Sequence, residues 1–400
     1  MSKIRALDRA DLAAVCRLYE VVVRSGWPDP PPQLVEYFER TLLDYPWADP
    51  DIPSLVYEDP DDGIVGFLGS HVRRLRVDGR PIRMACSGQL VASPQVRHRG
   101  VGALLMRRYL AGPQELTITD GATDLVRRIW NGLGGQPLLH ASIGWTWPFR
   151  PAATGIASLA RRNVRSRLIR PLRFVAPSLD AGARLLLRGK RDLLPAKPQA
   201  HAVPLTVDAL LSQLPEAARH LRLHPDYDDE YLRWLFEELE AVEVRGVPIR
   251  RLIHDPAGRV AGWYVYYLVP GDVAHILQVA APNGNPELVL KHLFWDAARG
   301  GAVAVRGRLE PSLMGLLDSR RCLLHRTAWA LVHCQDQRIL GLLGSSKALL
   351  TRLEGEWWMG HHLLWRESSK PGRRAAATLK TATPPRLPKS APLPAEYRDS

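Results

Sequence analysis

Cysteine is scarce in this chain: Cys16, Cys86, Cys322 and Cys334 are scattered over 400 residues. Such spacing excludes a disulfide-stapled secreted scaffold. Cys322-x-x-His325 and His333-Cys334 stand closer together, but in a strand-like run where positions 322 and 325 face opposite sides of a sheet. One tetrahedral zinc cannot collect both, and no metal is expected. Long apolar runs are also missing. None approaches the roughly 18 residues of a membrane-spanning helix. The opening Met1-Ser2-Lys3-Ile4-Arg5 has no apolar core of a signal peptide. A cytoplasmic protein with free thiols is the expectation.

A basic face is missing from most of the chain, although the net charge is +13. Residues 148–200 hold twelve Arg and Lys against two Asp, and residues 367–400 hold seven against three. Those two stretches carry the whole excess. The remainder is close to neutral, which speaks against a nucleic-acid partner for either folded region. The 46% hydrophobic and 24% charged residues are ordinary for globular domains, and the length suits two or three of them.

Acidic residues are absent between Val91 and Leu110, and this stretch organises the rest. An apolar strand ends near Val91, and from Gly102 the residues Leu104, Leu105 and Leu110 recur at helical spacing. Between them lies Arg97-His98-Arg99-Gly100-Val101-Gly102. The glycines let main chain turn tightly and approach a ligand without an intervening Cβ. The helix that follows points its unpaired N–H groups and the positive end of its dipole at that ligand. A diphosphate fits such a place.

These residues resemble the GNAT superfamily of acyl-CoA-dependent N-acyltransferases. The pyrophosphate loop of that family is matched by Arg97, Gly100, Gly102 and Ala103, preceded by Val91 and Pro94 as in its usual Val-x-x-Pro. The element order agrees. A short strand at 4–6, helices near 12–24 and 33–43, and strands at 54–58, 64–77 and 81–91 precede the loop, with a hairpin at Asp78-Gly79. A helix, a strand at 115–119 and a helix at 124–133 follow it. The resemblance implies a mixed α/β (α+β) sheet and acetyl-CoA or another acyl-CoA as cosubstrate. It places the diphosphate on Arg97, His98, Arg99, Gly100, Val101, Gly102 and Ala103. It also implies that the loop strand and the next one splay apart, so that Leu90 and Val91 offer main-chain groups to the pantetheine arm.

Two family features are missing. The strand before the loop reads Arg83-Met84-Ala85-Cys86-Ser87-Gly88-Gln89, without the Glu that many members carry. Where many have a Tyr as proton donor, this chain reads Trp130-Asn131-Gly132. An indole N–H donates a hydrogen bond but is no acid, and Trp130 reads first as a packing residue. Asp120 stands where the fifth strand ends, a place for a base, but an Asp before a helix is more often a cap. His140, in a strand-like stretch at 138–147, reaches the cleft on one reading and is a satisfied core or surface histidine on the other.

The second half repeats the element order: helices over 207–242, strands at 247–254, 260–269 and 273–281, a helix at 286–299, a strand at 302–309, a helix at 312–319 and a strand at 323–334. Its loop offers Asn285 as cap, Pro286 at the first helical position and Glu287 where a diphosphate would sit. A degenerate second unit without CoA is expected. Tandem members such as mycothiol synthase and N-myristoyltransferase carry two units in one chain. The expected division is a GNAT domain at 1–147, a basic helical connector at 148–204, a degenerate GNAT-like domain at 205–366 and a disordered basic tail at 367–400. The connector's stripe over 157–170 suits packing on a neighbouring domain or peripheral contact with a membrane. The expected activity is acyl transfer, acetyl by preference, to an amine of a small molecule or carbohydrate. A catalytically silent CoA-binding or regulatory protein, and an anionic-surface or nucleic-acid adaptor acting through the basic connector, are the alternatives.

Overall fold

Asp78 and Gly79 both take positive φ, 50° and 80°, and turn the chain in two residues between its longest strands. Those strands, β3 (Gly63–Val77) and β4 (Arg80–Ala92), are the spine of the first sheet. The computed structural model describes residues 2–24, 30–161, 175–182, 194–282, 285–317 and 322–359. The expected tail at 367–400, the connector residues 162–174 and 183–193, and loop residues 283 and 284 lie outside that description.

The first half runs β1 (Lys3–Ala6), α1 (Leu12–Tyr19), α2 (Pro32–Leu42), β2 (Leu55–Asp59), β3, β4, α3 (Val101–Leu110), β5 (Leu116–Ala122), α4 (Asp124–Gly132), β6 (Gln136–Pro137), β7 (Ile143–Pro148) and α5 (Pro151–Arg161), with helix α6 inside 175–182. The second runs β8 (His201–Pro204), α7 (Val207–His220), β9 (Leu223–Pro225), α8 (Asp229–Ala241), β10 (Val247–His254), β11 (Val260–Leu268), β12 (Val273–Ala280), α9 (Pro286–Arg299), β13 (Ala304–Arg308), β14 (Leu323–Arg326), β15 (Trp329–His333) and α10 (Gln337–Leu343). Up to α4 the elements follow the order expected from the sequence. Residues 312–319 instead hold only a short 3-10 turn at Met314–Leu316 among the described ones. The connector helix α5 is described only to Arg161.

The sheets do not follow the expected division at 147. The first is ordered β1-β2-β3-β4-β5-β15-β6 and the second β14-β7-β13-β12-β11-β10-β8. Strand β7, expected to close the first sheet, pairs with β13 and β14 of the second. The single strand expected over 323–334 is broken at 327–328 into β14, in the second sheet, and β15, which pairs with β5 and β6 in the first. Each half thus lends a strand to the other. Strand β9 adds a further tie by pairing with β3.

The cores merge accordingly. One apolar cluster joins Tyr19, Leu34 and Phe38 of α1 and α2 to Trp234, Leu235 and Trp263 of the second half and to Leu353, Trp357 and Trp358 near the end of the described chain. Around it, Arg76 pairs with Asp226 at 2.8 Å and Arg222 with Asp78 at 2.7 Å. Among the described residues no helix is long and apolar enough to cross a membrane.

Candidate active site

Strands β4 and β5 run parallel but pair at only three positions, Met84–Leu116, Ala85–Thr117 and Cys86–Ile118. Beyond Cys86 they part. The cause lies on the other edge of β4, where the β3–β4 register shifts between Phe67 and Gly69 and Gln89 takes a left-handed φ of 48°. The Gln89 side-chain oxygen lies over Gly69, where a Cβ would displace it. The gap is a cleft of about 780 Å³, counted out to its open mouth. Its walls include Ser87 to Val91 of β4, Thr119, Gly121 and Ala122 of β5, and Tyr19, Met106 and Val126 from the helices.

Helix α3 begins against this gap. Gly100 is its N-cap with φ 71° and offers no side-chain cap, so the first-turn amides keep their donors. A Cβ on Gly102 would meet nothing nearer than Leu90 Cδ2 at 4.0 Å, so the space beside the helix start is open. Arg99 does not face it: its Nη2 pairs with Asp59 Oδ2 at 2.8 Å at the end of β2. The side chains of Arg97 and His98 lie outside the description.

The inner end of the cleft is closed by residues from the far end of the chain. A strap, residues 350–359, runs across both sheets. From it Glu356 and Trp357 reach the cleft wall. Thr119 Oγ1, 237 residues earlier, donates to Glu356 Oε1 at 2.6 Å, and the Gly121 N–H donates to the same carboxyl. The other oxygen, Oε2, is buried without a partner and lies against Gly88, where a Cβ would strike it. Burial, then the nearby Asp120 charge, pushes the Glu356 carboxyl up to about 8. The carboxylate missing from strand 83–89 is therefore supplied in space by the strap. Glycine at 88 is what admits it. The sequence flags Glu356 only as an acidic residue in a Trp-rich segment, because nothing local ties it to β4.

The three weak candidates part company. Asp120 is buried and is not a helix cap: Thr123 caps α4, its hydroxyl accepting from Val126 N. Asp120 Oδ1 instead accepts the amides of Glu356 and Trp357, each at 3.0 Å. Trp130 is fully buried in the core beneath α3 and α4, its ring packed on Gly135. His140 sits in a 3-10 turn, His140–Ser142, and lines a smaller cavity of about 350 Å³ with Asp120 and Arg308. Burial and Arg308 lower its pKa. The thiol of Cys86 lies beside this site, but burial pushes its pKa well above the usual value, which leaves it a poor nucleophile.

The second half contains a counterpart of the gap. Strands β12 and β13 also pair in parallel at three positions, Val273–Ala304, Ala274–Val305 and His275–Arg306. Past that point the strap lies across them. Gln278 Nε2 donates to Glu354 Oε1 at 3.1 Å, and Arg308 Nη2 donates to the Leu350 carbonyl at 2.8 Å. Helix α9 is capped by Asn285, whose Oδ1 accepts from Leu288 N at 3.1 Å. Glu287 in its first turn pairs with Lys291.

No protein-family model matches this sequence, and no curated protein does either. Solved structures do. A conserved protein of unknown function from Enterococcus faecalis V583, described as a probable N-acyltransferase, is similar at TM-score 0.53 and 9% identity, over 84% of this chain and 73% of that one. A GCN5-related N-acetyltransferase from Anabaena variabilis ATCC 29413 is similar at TM-score 0.54 and 11% identity, over 84% and 74%. One from Kribbella flavida gives 0.50 and 16%, over 84% and 73%. The chain therefore has the GNAT fold, and its two mixed sheets make it the tandem form of that fold.

Proposed function

We propose that this chain is an acyl-CoA-dependent N-acyltransferase, acting by direct attack of an amine on the thioester. The amine belongs to a small molecule or a carbohydrate. The observation that carries this reading is the cleft between β4 and β5, with a carboxyl at its inner end whose Oε2, against Gly88, has no hydrogen-bond partner.

The residues present fit the cosubstrate. The first-turn amides of α3, beside the open space at Gly102, would hold the diphosphate. The main chain of Leu90 and Val91 on one wall, and of Gly121 and Ala122 on the other, borders the channel for the pantetheine arm. Glu356 against Gly88, with Trp357 beside it, ends that channel early, which suits acetyl better than a long acyl chain.

The cosubstrate supplies an activated acyl thioester. The protein must supply a neutral amine, and an amine of the lysine type is protonated at neutral pH. Glu356 Oε2 takes that proton. Its raised pKa, about 8, brings it closer to the amine it must deprotonate than an ordinary carboxylate is. The nitrogen bonds to the acyl carbon and the carbon–sulfur bond breaks; the second amine proton passes through water at the open mouth to the departing thiolate, and the proton on Glu356 returns to solvent. The base form of Glu356 is the working form, so turnover rises with pH through about 8.

Calorimetry with acetyl-CoA and thiol release across an amine library test this reading together. Binding with amine-dependent release is expected. Binding without release for any amine would leave a silent CoA-binding protein, and no binding would remove the transferase.

A further inference from the structure

Asp120 was a candidate for the base, and its place in the fold gives it different work. Its Oδ1 receives two consecutive strap amides, those of Glu356 and Trp357. Its Oδ2 is buried without a hydrogen-bond partner against Gly355, where a Cβ would strike it. Three successive strap residues are thus shaped around one carboxylate. Its neighbour on β5, Thr119, faces the cleft and donates to Glu356 Oε1. Successive strand residues point to opposite faces, so the two grip Glu356 differently, one by its main chain and one by its carboxyl.

Resting on the transferase reading, we propose that Asp120 and Thr119 are positioning residues for Glu356 that act on its proton in opposite directions. Asp120 fixes the strap and, by its buried negative charge, opposes ionisation of Glu356. The Thr119 hydroxyl favours ionisation by bonding the charged form. Together they keep the carboxyl able both to take a proton and to release it.

The other ionisable groups around Glu356 do not compete for this role. Cys86 on β4 and Tyr109 on α3 feel its charge, but burial drives both well above their usual ranges. His71 on β3, facing Gly88, is pushed down to about 3 by burial and stays neutral. Arg245 and Arg352 flank the Trp357 ring, with guanidinium carbons 3.7 Å and 4.4 Å from its centroid. Burial lowers both, Arg245 to about 9 and Arg352 to about 10, so each still carries its charge where Glu356 titrates. Glu310, pushed up to about 7 by burial, sits beside Arg308 and Glu354.

The test is a carboxyl titration on the full chain labelled with 13C at glutamate side chains, with E356Q identifying the Glu356 resonance. Asp120→Asn keeps an oxygen for both strap amides and deletes the charge. Its Glu356 midpoint should fall by about one pH unit or more. Thr119→Val deletes the hydroxyl at nearly constant shape, and its midpoint should rise by about half a unit. An unchanged or opposite shift in either variant overturns the proposal, and Thr119→Val decides alone if Asp120→Asn does not fold. Acetyl-CoA calorimetry on the unaltered chain separates the two layers. Midpoints that move as stated without acetyl-CoA binding sink the transferase reading and keep the pairing. Binding with fixed midpoints does the reverse.

Discussion

The two parted strand pairs make a natural experiment inside one chain. Both gaps open after three parallel pairs, and the same strap crosses both. In the second, Glu354 has both oxygens engaged: Oε1 accepts from the Tyr227 hydroxyl and Gln278, and Oε2 accepts from Thr351 N at 2.6 Å and Thr351 Oγ1 at 2.8 Å. In the first, Glu356 is left with a bare oxygen facing glycine. A carboxyl with every lone-pair direction occupied is a structural pin. One with an idle oxygen at the end of a cleft is poised for chemistry, at a cost in stability. Two residues of spacing on one strap separate the roles.

Glu356→Gln breaks that comparison hardest. Removing a general base costs about 10²- to 10⁴-fold in turnover, with affinity for acetyl-CoA retained. The same variant has a stability signature. Glu356 holds its proton up to about 8 in the fold against 4.5 ordinarily. The folded chain then binds more protons than the unfolded one across that window. Stability is therefore full below pH 4.5 and falls as pH rises through about 8. Thermal melts should show a flatter pH dependence in the Gln variant. An equally steep one would mean that the carboxyl is not held neutral.

Gly102→Glu makes the first helix start like the second. Gly102 and Glu287 occupy the same place, two residues past the N-cap, in α3 and α9. A first-turn carboxylate favours the helix by about 0.3–1 kcal/mol, and the open space at Gly102 accepts the side chain. The melting temperature should hold or rise while affinity for acetyl-CoA falls by roughly 100-fold, since a charge now meets the diphosphate. Lost affinity with a lost fold would show instead that glycine is needed for packing.

Much of this contrast is legible in the sequence and some is not, for a physical reason. The Arg97-to-Ala103 loop, the Asp78-Gly79 turn and the Asn285 cap are local events, and local chemistry announces them. Strand existence is also local, because alternation and β-branching mark Leu331 and Val332 as strand residues whatever they pair with. Which strand they join is not. A break at 327–328 takes β15 away from the sheet of β14, β7 pairs with β13 and β14 of the other half, and no periodicity encodes either partner. Glu356 is hidden for the same reason, its hydroxyl donor lying 237 residues away.

Glu354→Gln sharpens the comparison from the pinned side. An amide in that place turns one acceptor into a donor facing existing donors, at a cost of about 1–3 kcal/mol. The melting temperature should fall, while the pH midpoint of turnover stays where the unaltered chain has it. A moved midpoint would mean that Glu354 and Glu356 titrate together and that the strap carries one coupled site rather than a pin and a base.

The smallest effect concerns Arg99, which stands in the loop by sequence and outside it by contact. Its guanidinium is held by Asp59, whose carboxylate also accepts from Ser2 Oγ and the Asp61 amide. A cation committed to a neighbouring strand has little charge to spare for a phosphate, whereas the first turn of α3 has no side-chain cap to occupy its amides. Asp59→Asn releases the arginine. The melting temperature should drop slightly, and acetyl-CoA affinity should stay within about twofold, because the helix start supplies the grip. A marked gain in affinity would instead count Arg99 among the phosphate ligands once it is freed, and would move part of the first gap's advantage from main chain to side chain.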